Sequence, residues 1–163
     1  MKPITACRVC SSADLVPLFS LGEQFVSDFV EKDHRGGVKV PIELVLCNDC
    51  TLVQQRYTAP QDFMYTRHYW YRSGTTATMR DALRDVAAAA ERVANLQPGD
   101  VVLDIGSNDG TLLRSYQVPG IVRVGVEPAS NLATAENYEG LELINDFWSI
   151  EAYEKSGSDN HED

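Results

Sequence analysis

Positive charge is scarce in this sequence. Its 163 residues hold 14 Lys and Arg against 24 Asp and Glu, a formal charge of −10. Non-specific nucleic-acid binding grows from Lys and Arg neutralising phosphates, and no Lys/Arg cluster is visible, so nucleic acid is not an expected partner. Long apolar runs are missing too. No stretch approaches the roughly 20 apolar residues of a membrane span, so no membrane partner is expected. Met1–Cys10 carries one Lys and no apolar h-region, and the expectation is a cytoplasmic chain. There is no internal repeat, and the three histidines, His34, His68 and His161, lie far apart. Apolar residues still make up 44%, enough for a core, so wholesale disorder is not expected. The length suits one domain, or one domain with a small appendage.

Cysteine is sparse but placed in pairs, Cys7-Arg8-Val9-Cys10 and Cys47-Asn48-Asp49-Cys50. Without a secretory signal, a disulfide framework is a poor default. Two CxxC turns suit a tetrahedral zinc site, because each presents two thiolates about 2.3 Å from one metal. The stretch between the pairs exceeds the roughly 15–20 residues of common ribbon patterns, so the metal would close a larger loop. A thioredoxin-type redox motif would be one CxxC at a helix start, and two pairs speak against it. Four unligated cysteines in a reduced core are the bland alternative. Four thiolates leave no open position, so the zinc is expected to be structural.

Residues 1–58 read as a small β-rich module. Leu15–Phe19 and Pro41–Leu46 are candidate strands, Thr51–Gln55 alternates and pairs back as a hairpin, and His34-Arg35-Gly36-Gly37 is a loop signal. This segment has little apolar mass, so metal would supply much of its folding energy, roughly 10–16 kcal/mol in small zinc peptides. Residues 59–98 form a linker and long helix. Pro60–Trp70 is transitional and aromatic, and a helix is expected from about Gly74 to Leu96 with Met79, Leu83, Val86, Ala90 and Val93 on its apolar face. Gln97-Pro98-Gly99-Asp100 stops it.

Residues 99–150 read as an α/β unit. Val101–Ile105 has a buried-strand signature, Gly106–Gly110 is a turn, and Thr111–Tyr116 a helix. Ile121–Val126 is a second strand ending at Glu127-Pro128, Ser130 caps a helix through Tyr138, and Leu141–Ile144 is a third strand. The order β-α-β-α-β implies a parallel sheet with right-handed crossovers. Residues 151–163 form a polar tail.

A strand, a glycine turn and a helix start make a ligand site at the C-terminal edge of a parallel sheet. Gly106 and Gly110 would let a ligand approach the backbone. Glu127 ends the next strand about 20 residues on, where its carboxylate could accept from a ribose diol. A dinucleotide fits poorly. Asn108 stands where the GxGxxG fingerprint has its second glycine, and Asp104 and Asp109 would lie near a dianionic pyrophosphate. S-adenosylmethionine carries an ammonium and a sulfonium, which the same acids favour. A plain βαβ turn is the alternative without a ligand.

Val102–Leu113, reading VLDIGSNDGTLL, resembles motif I of class I SAM-dependent methyltransferases. Gly125-Val126-Glu127-Pro128-Ala129 is similar to their second-strand acidic motif. Two CxxC pairs ahead of it, with Tyr71-Arg72-Ser73-Gly74 between, resemble the zinc-containing sugar C-methyltransferases of deoxysugar biosynthesis. The resemblance runs from Cys7 to about Ile150. It implies zinc on Cys7, Cys10, Cys47 and Cys50, and S-adenosylmethionine held by Ser73, Asp104, Gly106, Ser107, Asn108, Gly110, Glu127 and Pro128. It implies an incomplete Rossmann-like methyltransferase sheet and a nucleotide-linked keto-deoxysugar as substrate. A base would remove a proton beside the keto group, and the enolate would attack the cofactor's methyl. Tyr71 matches a tyrosine that the family places near the sugar and reacting centre.

The match departs from the family in one place. The family's general base is a histidine in a downstream His/Glu-rich motif, and none of His34, His68 and His161 sits in one. The chain therefore reads as the N-terminal portion of a longer enzyme, with little activity alone. Its first parallel strand would keep an unpaired edge, so self-association or a partner is expected. A zinc-ribbon interaction module with a vestigial α/β segment, and a nicotinamide enzyme with an aberrant turn, are the competing functions.

Overall fold

The structure is a computed structural model and describes residues 1–26, 37–66 and 69–158. It divides into two compact units, Met1–His68 and Tyr69–Asp163. His34, Arg35, Gly36, His68 and His161 lie outside the described residues. Among the described residues no helix is long and apolar enough to cross a membrane.

The first unit is an antiparallel sheet of order β1-β2-β3, with β1 Leu15–Phe25, β2 Lys39–Cys47 and β3 Val53–Gln55. Leu15 pairs with Cys47 and Leu46 with Val53, so the hairpin expected after the second cysteine pair is present. The first strand runs on past Phe19, helped by register shifts between Pro17 and Phe19 and between Ser20 and Glu23. Proline is tolerated in both strands for want of a neighbour. Pro17 is on an edge strand, and Pro41 falls where β2 has only β1 beside it. A short helix, α1 Gln61–Tyr65, follows Pro60. Burial is sparse: Cys7, Val45, Cys47 and Gln54 are the buried side chains here, while Phe19, Leu21 and Phe25 are exposed. So small an apolar core cannot offset much chain entropy by itself.

The second unit is α/β. A 3-10 turn at Ser73–Thr75 leads into α2, Ala77–Ala94, then β4 Val101–Ile105, α3 Thr111–Ser115, β5 Val122–Val126, β6 Glu142–Ile144 and α4 Ile150–Ser158. The three strands are parallel in the order β4-β5-β6. Thr76 caps α2 by accepting the Met79 amide at 3.2 Å, and Asn95 ends it in the left-handed conformation.

Four expectations are corrected. The buried face of α2 is not the one carrying Met79, Val86 and Val93, which are exposed. Ala87 is fully buried against Tyr116 and Ile121, with Ala90 beside it. Alanines let α2 close on its neighbours, and Glu91 on the same side accepts the Val118 amide at 2.9 Å. The helix expected after Ser130 is instead a run of turns. There Asn137 Nδ2 donates to the Leu132 carbonyl at 2.7 Å, a local bond that competes with a helical ladder, and Asn131 Nδ2 donates to the sequence-distant Tyr69 carbonyl at 2.9 Å. The run read as a polar tail begins with α4. Its first turn has Ser149 accepting the Ala152 amide at 3.0 Å, and Ala152 packs on Val124, Val126 and Ile144.

The fourth correction concerns β4, read as a buried strand: among the described residues it keeps the unpaired edge expected of it, but its apolar side chains are largely exposed. Parallel register puts Leu103 beside Val124 and Ile105 beside Val126, all on one face. Packing from α4 buries the β5 residues to 2% and 1% exposure, while Leu103 and Ile105 keep 36% and 54%. The opposite face, with Val102, packs against α2 and α3.

Candidate functional site

The first unit brings the four cysteines together. Each pair sits in a similar turn. Cys7 O accepts the Ser11 amide and Cys47 O the Thr51 amide, at 3.0 and 2.9 Å, and both Ser11 and Thr51 have φ of 61°. Cys7 Sγ lies 3.6 Å from Cys50 Sγ, and Cys10 Sγ 3.5 Å from Cys47 Sγ. All four sulfurs lie within 4.8 Å of one another. Thiolates about 2.3 Å from a tetrahedral zinc stand roughly 3.8 Å apart, so the donor set fits that ion. None of the four is in a disulfide, and their convergence favours a shared metal over four unligated cysteines in a reduced core.

Electrostatics point the same way. The Cys10 and Val9 amides draw the Cys7 thiol down to about 6. The Ser12 amide also draws on Cys10, but the Cys50 and Cys47 sulfurs and burial outweigh it and push that thiol up to about 12. Without a cation the cluster carries its negative charge unevenly. Sequence reading missed Gln54, which donates from Nε2 to Cys7 Sγ at 3.2 Å and accepts the Arg8 amide at 3.2 Å. Its inward register on β3 was the available signal. Such outer partners orient metal ligands.

In the second unit the glycine turn joins β4 to α3. Gly106 has φ of +76° and nothing within 4 Å of where a Cβ would stand, so its backbone is open to approach. Gly110 differs: a Cβ there would meet Arg114 and the Asn137 carbonyl, so it serves close packing at the head of α3.

Between the glycines the side chains turn inward. Asn108 Oδ1 accepts the Ser73 amide and its Nδ2 donates to the Tyr71 carbonyl, both at 2.9 Å. Asp109 Oδ2 accepts the Gly74 amide at 3.0 Å, and Oδ1 accepts the Thr111 amide at 3.2 Å. Ser107 bonds the Tyr138 hydroxyl, which also donates to the Asn108 carbonyl at 2.9 Å. Tyr138 was invisible to sequence reading. Gly125, a glycine inside a strand, was its trace, since a Cβ there would lie 2.5 Å from Tyr138.

Glu127, at the end of β5, is buried and accepts the Asn108 amide at 2.9 Å and the Ala129 amide at 2.8 Å. Each of its oxygens keeps a further lone pair. Pro128 is half-buried beside it, and the Tyr71 ring is exposed. Asp104 is half-buried near the end of β4, with no hydrogen bond to its carboxylate among the described residues. Burial raises the Asp104 carboxyl above the usual carboxylate range, and burial chiefly, with the Asp104 charge adding, raises Glu127. Two carboxyls raised chiefly by burial, at the ends of the strands that flank an open glycine, make a place where a cation is favoured.

Residues 7–65 match the family model described as "Putative zinc binding domain". The chain is 31% identical over 147 residues to the C-methyltransferase NovU of Streptomyces niveus. That similarity covers 88% of this chain and 35% of the relative's length.

Proposed function

We propose that this chain, whose residues 7–65 match a zinc-binding family model and most of whose length is similar to a C-methyltransferase, forms the zinc-bearing, S-adenosylmethionine-binding part of a C-methyltransferase. Its strands β4–β6 would be part of a Rossmann-like class I sheet. The substrate would be a nucleotide-linked keto-deoxysugar.

The open Gly106 turn beside Asp104 and Glu127 is the observation that carries the cofactor reading. The residues fit a ligand that brings positive charge and no phosphate. When bound, the cofactor supplies an electrophilic methyl group. The chain's own contribution is positional: Glu127 would accept from a ribose diol, Asp104 would offer a counter-charge, and the Asn108 and Asp109 bonds fix Tyr71–Gly74 against the turn. Carbon methylation beside a ketone develops charge on the enolate oxygen. The exposed Tyr71 phenol would donate to it. Holding that geometry is worth more than any single bond.

Titration calorimetry with S-adenosylhomocysteine and with NAD tests this. Saturable binding of the first, lost in Asp104→Ala, supports the reading; preference for NAD overturns it. The inward commitment of Ser107, Asn108 and Asp109 favours one other reading, a zinc module whose α/β part is structural, and binding of neither ligand would promote it. We also expect the chain alone to transfer little or no methyl, and to associate with a second copy through the unpaired edge of β4.

A further inference from the structure

Tyr138 belongs to no helix or strand, yet it is only 3% exposed. Local bonds hold it in the run of turns after Glu127: its amide donates to the Ala135 carbonyl at 3.1 Å, and its carbonyl accepts the Leu141 amide at 2.9 Å. From there its ring lies over Gly125 of β5 and its hydroxyl reaches the glycine turn. A Cβ on Gly125 would stand 2.5 Å from Tyr138 Cε1 and 2.8 Å from Ser107 Oγ, so a larger residue in that place would displace one or the other.

The hydroxyl distinguishes this residue from a packed aromatic. It donates to the Asn108 carbonyl at 2.9 Å and bonds Ser107 Oγ. A phenol has one proton, so the Ser107 hydroxyl is the donor in the second bond. Burial raises the phenol above its ordinary value and keeps that proton in place. Asn108 needs such a hold. Its φ is 55°, a left-handed conformation that residues with a Cβ rarely adopt, though Asn tolerates it better than most. Three further bonds leave this one residue. Its amide donates to Glu127 Oε2, its Oδ1 accepts the Ser73 amide and its Nδ2 donates to the Tyr71 carbonyl, each at 2.9 Å. A change in its backbone angles would misdirect all three.

We propose that Tyr138 is a positioning residue of the candidate ligand site: its hydroxyl fixes the backbone at Ser107 and Asn108, and with it the alignment of Glu127 and the Tyr71 segment on the open Gly106 turn. Buried as it is, the phenol does this without meeting the ligand. The inference deepens the proposed function and rests on that reading only for the ligand's identity. The ordering of the turn is a property of the free chain. A ring that merely fills space over Gly125 would leave that order to the turn's other bonds.

Tyr138→Phe separates the two, because it keeps the ring and removes both bonds. Amide exchange of the full chain reads the free turn, and titration calorimetry with S-adenosylhomocysteine reads the site. In Tyr138→Phe, exchange at the Asn108 and Gly110 amides should rise about three- to tenfold, as for the loss of an ordinary hydrogen bond. Exchange at Val124, inside β5, should change less than about twofold. Affinity for S-adenosylhomocysteine should also fall about three- to tenfold. Saturating ligand should close most of the exchange gap at the turn, because the ligand then supplies the missing order. If Tyr138→Phe melts early, Ser107→Ala removes one of the hydroxyl's two partners, and a rise of about threefold at Asn108 is expected. Unchanged exchange at the turn overturns the proposal. So does a rise at Val124 as large as that at Asn108, which marks a residue that only stabilises the fold, and so does unchanged affinity where the parent binds. A parent that binds no S-adenosylhomocysteine, with exchange raised at the turn alone, sinks the cofactor reading and leaves the role of Tyr138 standing.

Discussion

The Gly74 amide donates to Asp109 Oδ2 at 3.0 Å, a bond between residues on either side of the long helix α2. It fastens the Tyr71–Gly74 segment to the glycine turn. A Cβ on Gly74 would stand 2.7 Å from Thr111 Oγ1, so the approach requires glycine. Asp109→Ala strands the Gly74 and Thr111 amides, at about 1–3 kcal/mol for each buried group left unpaired. The expected result is a lower melting temperature and faster amide exchange at Gly74. Melting and exchange like the parent's would show that the bond holds nothing in place.

Metal should govern the first unit. Elemental analysis is expected to find one zinc per chain when the thiols are reduced. Chelation, or Cys47→Ser at this fully buried sulfur, should abolish the β1-β2-β3 sheet, because zinc supplies roughly 10 kcal/mol or more to such modules. A sheet signal that survives complete zinc removal would contradict this.

Cofactor affinity should fall in acid. Asp104 and Glu127 have carboxyls raised above their ordinary values, so protons return to them earlier on acidification than to exposed acids. Protonation removes the charge that attracts a sulfonium. Affinity is therefore full above the raised values and declines as pH falls through them. The phenols of Tyr116 and Tyr138 are raised by burial and stay neutral throughout. Calorimetry with S-adenosylmethionine from neutral pH into the acid range reads the slope. Asp104→Asn should flatten it and cost about 1 kcal/mol at neutral pH.

The open side of β4 should drive association. Val101, Leu103 and Ile105 form an exposed apolar row on a strand paired only to β5 among the described residues. Sedimentation velocity should show mass rising with concentration, and Ile105→Glu should suppress it by burying charge in the contact. A monodisperse monomer at high concentration would show that this edge is tolerated.

What the sequence determined by itself was local. Two CxxC turns dictate a four-sulfur centre because each turn's geometry is fixed within a few bonds, and the knuckles converged as their spacing implied. The three strands and the first helix of residues 101–144 were readable because apolar runs and glycine turns mark parallel units over short windows, but the helix expected after Ser130 was not formed. Tertiary structure decided the rest. The packed face of α2 depended on what α3 and β4 offered, so Ala87 was buried and Val93 was not. The inward bonds of Asn108 and Asp109 and the fit of Tyr138 over Gly125 join residues distant in sequence. Such contacts arise when separate elements compete for the same space and the same polar partners. No local pattern records the outcome of that competition.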